Sequence, residues 1–340
     1  MGRDSRAATA GVTIYDVADR AGVSISTVSL ALNGSSRVAA ATMTKVLQAA
    51  DDLGFVPKAE AVIRARQGVG LVGVLAPFSS YPSYYRRLNG FMAELAAADV
   101  TVDTVLFDHA SAALTGSPLL SSVPLTHRLD GLIVMGLPID DLVAERISTH
   151  ALPTVLVDTA RREFPSIVTD DAAGGRAAGE RVVSRGHRSV GLVTETKSAG
   201  AELVELQGDR RGDGLRKALG RKVTLQERRV AHDPAGARSA TLELLDGDDA
   251  PTALVANDDT LAAGVIQALR ERDLVPGADV DVIGCDDSDI AQALDLTTVI
   301  QPFEESGATA AALMVEMLGG RRPRGRRIEL DVSLVVRSTG

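Results

Sequence analysis

The stretch TIYDVADRAGVSISTVSLALNG, residues 13–34, holds two short helical patterns on either side of one glycine. Thr13 is followed three residues later by Asp16, and Ile14, Val17, Ala18 and Ala21 recur at helical spacing. This predicts a helix opened by a capping box and closed by Gly22 in a left-handed turn. Ser24 has the chemistry to cap a second helix over 25–32, which Asn33 and Gly34 terminate. Helix, tight glycine turn, helix is a unit that DNA-reading proteins lay in the major groove. Val28, Ala31 and Leu32 share one face of the second helix, so Ile25, Ser26, Ser29 and Leu30 point outward. An outward Ile and Leu suit thymine methyls, while Ser24, Thr27 and Ser29 supply hydroxyls for phosphates. A third helix, predicted over 42–53, closes a small core before Gly54; the plainer alternative is a three-helix bundle that binds protein.

Outward from this stretch the charge changes sign. Residues 1–66 carry eight Lys/Arg against six Asp/Glu, whereas the rest carry 28 against 39, within a chain of 340 residues and formal charge −9. A basic end and an acidic body point to different partners. Residues 1–11 are polar, include Arg3, Asp4 and Arg6, and lack an apolar core, so they read as a short disordered lead-in and not as a secretory signal. The one cysteine, Cys285, allows neither an internal disulfide nor a cysteine-based zinc site and points to a reducing, cytoplasmic setting. The longest apolar runs, 131–137 and 153–157, fall far short of the roughly 20 residues of a spanning helix, so no membrane partner is expected.

From about residue 68 the pattern becomes α/β. Apolar, β-branched runs at 71–75, 102–107, 129–135, 153–157, 166–169, 189–193, 223–230, 252–256, 281–285 and 328–336 alternate with helical stretches. Such alternation predicts parallel sheets with helices on both faces. About 270 residues of it exceed what one sheet organises, so two doubly wound lobes with a cleft between them are expected, with ligands at the strand C-termini. The arginines of 321–327 read as a solvated turn before the last strand, and no fixed-period repeat is visible.

Candidate chemistry is sparse. Gly68, Gly70 and Gly73 spell G-x-G-x-x-G, but they precede and enter a strand, where the phosphate-cradling geometry is absent. Asp258, Asp259, Asp286, Asp287 and Asp289 cluster with no histidine near them in sequence, the five histidines are scattered, and no serine sits in a nucleophile elbow. No catalytic residue, metal or cofactor is therefore expected, and the chain is not read as an enzyme. Carboxylates and amides just after strands can instead chelate vicinal sugar hydroxyls, and Asn257, Asp258 and Asp286 stand at such positions. Phe78, Tyr81, Tyr84 and Tyr85 crowd after the first strand of the body as a candidate stacking platform, with core packing or the dimer surface as the alternative.

The motifs Thr13-Ile14-Tyr15-Asp16-Val17-Ala18, Ala21-Gly22-Val23-Ser24, Thr27-Val28-Ser29, Leu32-Asn33-Gly34 and Gly54-Phe55-Val56-Pro57 resemble the headpiece of the lactose/galactose repressor (LacI/GalR) family. The resemblance runs densely over 12–57 and more thinly to the C-terminus. It implies a helix-turn-helix headpiece at 12–56, a hinge at 57–68 and a two-lobed, periplasmic-binding-protein-like body at 69–340 that binds an effector and dimerises. DNA contacts then fall to Thr13, Tyr15, Ser24, Ile25, Ser26, Thr27, Ser29, Leu30, Asn33 and Arg37. Asp158, Arg211, Asn257, Asp286 and Gln301 fall on the effector, with Arg210 as the rival to Arg211. Expected partners are double-stranded operator DNA, a small sugar-like molecule and a second copy of the chain. Three positions depart from the family's pattern. Ala39 replaces the usual serine cap of the third helix, Leu30 replaces a common arginine, and the hinge position of the minor-groove leucine is Arg64, with Ile63 beside it. Two other readings share parts of this sequence: a sugar-binding protein of a transport system, which has no use for 12–57, and a nucleotide-binding enzyme, which rests on the glycines alone.

Overall fold

The computed structural model describes residues 12–32, 38–53, 55, 70–98, 100–108, 129–196, 207–321, 323 and 325–340. The lead-in, the hinge residues Ile63 and Arg64, and Asn33 and Arg37 lie outside these residues.

Helices α1 (Ile14–Ala21), α2 (Ile25–Leu32) and α3 (Ala40–Leu53) enclose a core of Val17, Val28, Val46 and Ala49. Asp16 accepts hydrogen bonds from the Thr13 backbone N–H and hydroxyl, both at 2.7 Å, which holds its carboxyl below the usual range. Gly22 closes α1 at φ +65°, as the spacing predicts. Helix α3 begins two residues earlier than expected: the carbonyl of Ala39 accepts from Thr42 and Met43 N–H, both at 2.9 Å, so the backbone starts the helix without a side-chain cap.

The N-terminal lobe contains β1 (Gly70–Ala76), α4 (Ser83–Ala97), β2 (Val102–Asp108), β3 (Gly131–Met135), α5 (Asp141–Thr149), β4 (Thr154–Val157) and β5 (Ser166–Thr169). The C-terminal lobe contains α6 (Asp171–Ser184), β6 (Ser189–Glu195), α7 (Gln207–Leu219), β7 (Thr224–Val230), α8 (Pro234–Leu245), β8 (Ala253–Ala256), α9 (Asp259–Glu271), β9 (Asp281–Asp286), α10 (Asp289–Ala293) and β10 (Thr297–Ile300). The chain then returns to the first lobe for α11 (Phe303–Leu318) and β11 (Arg327–Leu330), and ends in the second with β12 (Ser333–Val335). Gly70 opens β1 and Gly73 lies inside it, so the glycine pattern does not sit between a strand and a helix.

Strand order is β11-β5-β4-β3-β1-β2 in one sheet and β12-β10-β9-β8-β6-β7 in the other. All pairings are parallel except β10 with β12. Central strands such as β3 and β4 are buried throughout because helices cover both sheet faces. In the first lobe, Phe91 and Met314 pack on one face, and Val143 and Ile147 on the other.

Two expectations about strands need correction. The run 328–336 is not one strand: its first half joins the first sheet in parallel and its second half joins the other sheet antiparallel, with the lobe crossover between them. Strand β10 has no counterpart among the expected runs, because its four residues Thr297–Ile300 mix threonines with Val299 and Ile300 and give no long apolar signal.

Adding five to each strand number of the first five strands converts one sheet order into the other. The lobes therefore repeat one topology, although the sequence shows no repeat. The correspondence extends to helix packing. A Cβ on Gly307 of α11 would collide with the carbonyl of Arg87 in α4, and one on Gly175 of α6 would collide with the carbonyl of Arg211 in α7. Each lobe thus seats an arginine-bearing helix directly against the helix that arrives from the other lobe.

Candidate functional site

The headpiece exposes apolar and hydroxyl-bearing side chains on α1 and α2. Ile25 is 41% exposed and Leu30 39%, although both are large and apolar, while Val28 and Ala31 on the opposite side are buried. Tyr15 on α1 is also exposed. Ser24 Oγ accepts from Thr27 N–H at 3.2 Å and lies 2.8 Å from both Ser26 Oγ and Thr27 Oγ1, which gathers three hydroxyls at the N-terminus of α2. That end of a helix favours anions.

The second candidate site is a cleft of about 1210 Å³ between the lobes. Its walls come from strand ends and the helix starts that follow them. Asp158 follows β4 at φ +61°, and Asp286 ends β9 at φ +116°. Both hold left-handed backbone that non-glycine residues seldom adopt, a form of strain that recurs at ligand sites. Burial pushes the Asp286 carboxyl well up, opposed chiefly by Arg211, and burial also raises Asp158, opposed chiefly by Arg87.

Arg211 reaches in from α7. Its Nε donates to Asp171 Oδ1 at 3.0 Å and its Nη1 to the Asn257 carbonyl at 2.5 Å. Arg210, also on the cleft wall, is exposed, so the inward arginine is Arg211. Asn257 is buried after β8, and its amide leaves no room for a side chain at Gly208.

Two expected effector residues lie elsewhere. Gln301 is 2% exposed beneath the cleft, its amide directed to Asp171 Oδ1 at 3.5 Å and Cys285 Sγ at 3.4 Å, so it steadies the residue that holds Arg211. Phe78 is buried in the lobe core with its ring 5.1 Å from that of Tyr85. The expected platform is therefore divided. Tyr84 is mostly buried, with its hydroxyl over Gly136, whereas Tyr81 crosses the cleft to donate to Glu195 Oε2 at 2.9 Å.

Several cleft residues had no place in the expected set. His232 packs 4.9 Å from the Tyr81 ring and bonds Asp258 Oδ2 at 2.7 Å, which raises its pKa above the ordinary histidine value. Arg86 crosses from α4 to the carbonyls of Asp286 and Asp287, at 2.9 and 3.1 Å, while its Nε bonds Glu304 at 2.7 Å. Arg87 and Phe303 complete the first-lobe wall. The acidic cluster is structural in part. Asp258 caps α9 through Leu261 N–H, Asp287 pairs with Arg337 at 2.6 Å, and buried Asp259 accepts from Ser288 N–H and Thr298 Oγ1. Among the described residues, no three His, Cys, Asp or Glu come together as a metal site, and no helix is long and apolar enough to cross a membrane.

Residues 13–58 match the family described as bacterial regulatory proteins, lacI family, and residues 180–339 match a periplasmic binding protein-like domain. The chain is 30% identical over 335 residues to the HTH-type transcriptional repressor PurR of Erwinia tasmaniensis, covering 96% of each. The chain belongs to the lacI family. Among solved lacI-family structures, the lac repressor dimer bound to operator and the anti-inducer ONPF is 26% identical, with a TM-score of 0.66 over 96% of this chain and 98% of that one. The transcriptional regulator CelR with cellobiose is 25% identical, with a TM-score of 0.66 over 97% and 100%. The family consists of transcriptional regulators and is not enzymatic.

Proposed function

We propose that this lacI-family regulator is a cytoplasmic, homodimeric repressor that binds a pseudo-palindromic operator through α2 and changes its operator affinity when a sugar-like effector enters the cleft. The observation that carries this reading is the pairing, in one chain, of an outward apolar and hydroxyl-bearing α2 with a two-lobed cleft walled by strand-end carboxylates and arginine. A headpiece reads one half-site, so two copies match a palindrome. Ser24, Ser26, Thr27 and Ser29 serve phosphates and base edges, Ile25 and Leu30 meet thymine methyls, and Thr13 and Tyr15 flank them. In the cleft, Asp158, Arg211, Asn257 and Asp286 chelate hydroxyls while Tyr81 supplies ring surface. Residues 12–56, 57–68 and 69–340 act as headpiece, hinge and sensing body. The structures of relatives with operator and ONPF, and with cellobiose, support both halves of this reading.

The test begins with selection of the operator from random duplexes by the full chain. Its affinity is then measured by fluorescence anisotropy with and without a panel of neutral mono- and disaccharides. A palindromic consensus and a sugar-dependent shift in affinity are expected. Selection of no duplex, or affinity indifferent to every sugar, contradicts the proposal. A free-standing transport-type binding protein would give the sugar binding alone.

A further inference from the structure

The repeated topology gives each lobe an arginine at one place and an aspartate at another. Arg87 in α4 and Arg211 in α7 occupy equivalent positions, each with its carbonyl against a glycine of the helix entering from the other lobe. Asp158 after β4 and Asp286 at the end of β9 are likewise equivalent, and both have positive φ. We propose that Arg87 and Asp158 form, in the first lobe, a second diol-binding pair that mirrors Arg211 and Asp286. The effector is then an uncharged polyol gripped from both walls, and phosphorylated sugars are excluded. This rests on the sugar-effector reading above.

Arg87 differs from an ordinary structural ion pair. Its side chain is 3% exposed, and that of Asp158 is 2%, with Nη2 2.5 Å from Oδ2. The contact is not a well-directed hydrogen bond, since Arg87 Nε and Asp158 Oδ2 both lack a hydrogen-bond partner among the described residues. Buried arginine and carboxylate groups normally use their full bidentate capacity. Here Arg87 Nε makes no hydrogen bond, and Asp158 Oδ2 has only its ionic contact with Arg87 Nη2, on residues that line the cleft. The guanidinium is held in place by rings, 4.1 Å from the centroid of Phe303 and 4.8 Å from that of Tyr84, so its position does not depend on the carboxylate alone.

A sugar hydroxyl donates one hydrogen bond and accepts others, so neighbouring hydroxyls satisfy an arginine and an aspartate together. A phosphate only accepts near neutral pH, and it would face Asp158, Glu195, Asp258 and Asp286 across the cleft. Three of the arginines on the lining already face carboxylates: Arg87 faces Asp158, Arg211 Asp171, and Arg86 Glu304. The lining carries seven carboxylates against five arginines, and an excess of carboxylates around a ligand acts as a repulsive element against anions.

Calorimetry on the full chain with D-ribose, D-glucose, D-galactose and cellobiose, and with ribose 5-phosphate, glucose 6-phosphate and galactose 6-phosphate, tests this. At least one neutral sugar is expected to bind, and its phosphate to bind about 10-fold more weakly or worse, the loss that an unpaired charged partner brings. Arg87→Met is expected to weaken the neutral sugar about 10- to 100-fold, and Arg87→Lys, which keeps the charge without the fork, to lie between. Asp158→Asn, which preserves shape, is expected to weaken it as well and supplies the reading if Arg87→Met fails to fold by circular dichroism. Equal or tighter binding of the phosphate overturns the proposal, as does wild-type affinity in Arg87→Met or, where that does not fold, in Asp158→Asn. If no sugar of either kind binds, the sugar-effector reading fails together with the proposal. If a neutral sugar binds but these substitutions leave it unaffected, only the second pair is refuted.

Discussion

Leu30 replaces a charged donor with an apolar tip on the outer face of α2, where it is exposed beside Ile25. Substituting Leu30→Arg is expected to shift base preference at one position per half-site by about 1–3 kcal/mol without abolishing binding. An unchanged consensus after operator selection would place Leu30 away from the bases. His232 sits on the cleft wall and is tied to Asp258, so its folded pKa lies above 6.5. A raised pKa favours the folded state when the imidazole is protonated, so that contribution is complete below about 6.5 and is lost as pH rises through the folded value. Buried Asp259, raised to about 6, has the same sign: its contribution is complete below 3.8 and lost as pH rises through about 6. Urea midpoints should therefore fall as pH rises from about 4 to beyond 6.5, with His232→Gln flattening the upper part and Asp259→Asn the lower. A midpoint that rises across this window in the wild type would contradict both assignments. Asn257, Asp258 and Asp286 were legible in the sequence because strand ends face the cleft in any doubly wound lobe, whereas Asp158 came from the family resemblance. Arg87 was not, since an arginine in a helical pattern reads the same whether solvated or folded back between two rings. The aromatic density around Phe78 was legible too, but density does not say which rings turn into the core.

Helix α3 and the paired helices of each lobe carry the next expectations. Ala39 begins α3 with its carbonyl alone, so Ala39→Ser should add a side-chain acceptor and stabilise the headpiece by about 1 kcal/mol, measured by thermal unfolding. No gain would mean that the first-turn N–H groups are already satisfied. Gly175 admits no side chain because the Arg211 carbonyl touches it. Gly175→Ala should force α6 and α7 apart at a cost of about 1–3 kcal/mol, and should weaken sugar binding because Arg211 moves with its helix. Unaltered stability would show that the helix pair adjusts freely. The headpiece helices could be read nearly residue by residue, since caps, glycine and apolar spacing all agree there. Most strands were readable from buried β-branched runs, but two features were not. Strand β10 is too short and too rich in threonine, and the divided last run looks continuous because the crossover at Asp331 and Val332 interrupts neither its polarity nor its apolar content.

At the scale of the whole molecule, the chain crosses between lobes three times: after β5, after β10 and after β11. Asp171 and Gln301 stand at the first two crossings, joined to each other and, through Asp171, to Arg211. A ligand that draws Arg211 and Asp286 together with Asp158 therefore pulls on the segments about which the lobes close. On the proposed function, closure in a dimer is expected to alter the separation of two headpieces, and that difference between states is what a ligand can act on. The acidic body should keep all DNA contact on the headpiece, so log affinity should fall linearly with log salt, with a slope near −0.9 per phosphate contacted. The most direct measurement is operator affinity by fluorescence anisotropy, titrated with the sugar found to bind, for wild type and Asp286→Ala side by side. The account predicts a sugar-dependent change of about 5- to 150-fold in the wild type, and in Asp286→Ala a response displaced to about 5- to 150-fold higher sugar. A sugar that binds in the cleft without altering operator affinity, or an Asp286→Ala protein that responds like the wild type, would contradict it.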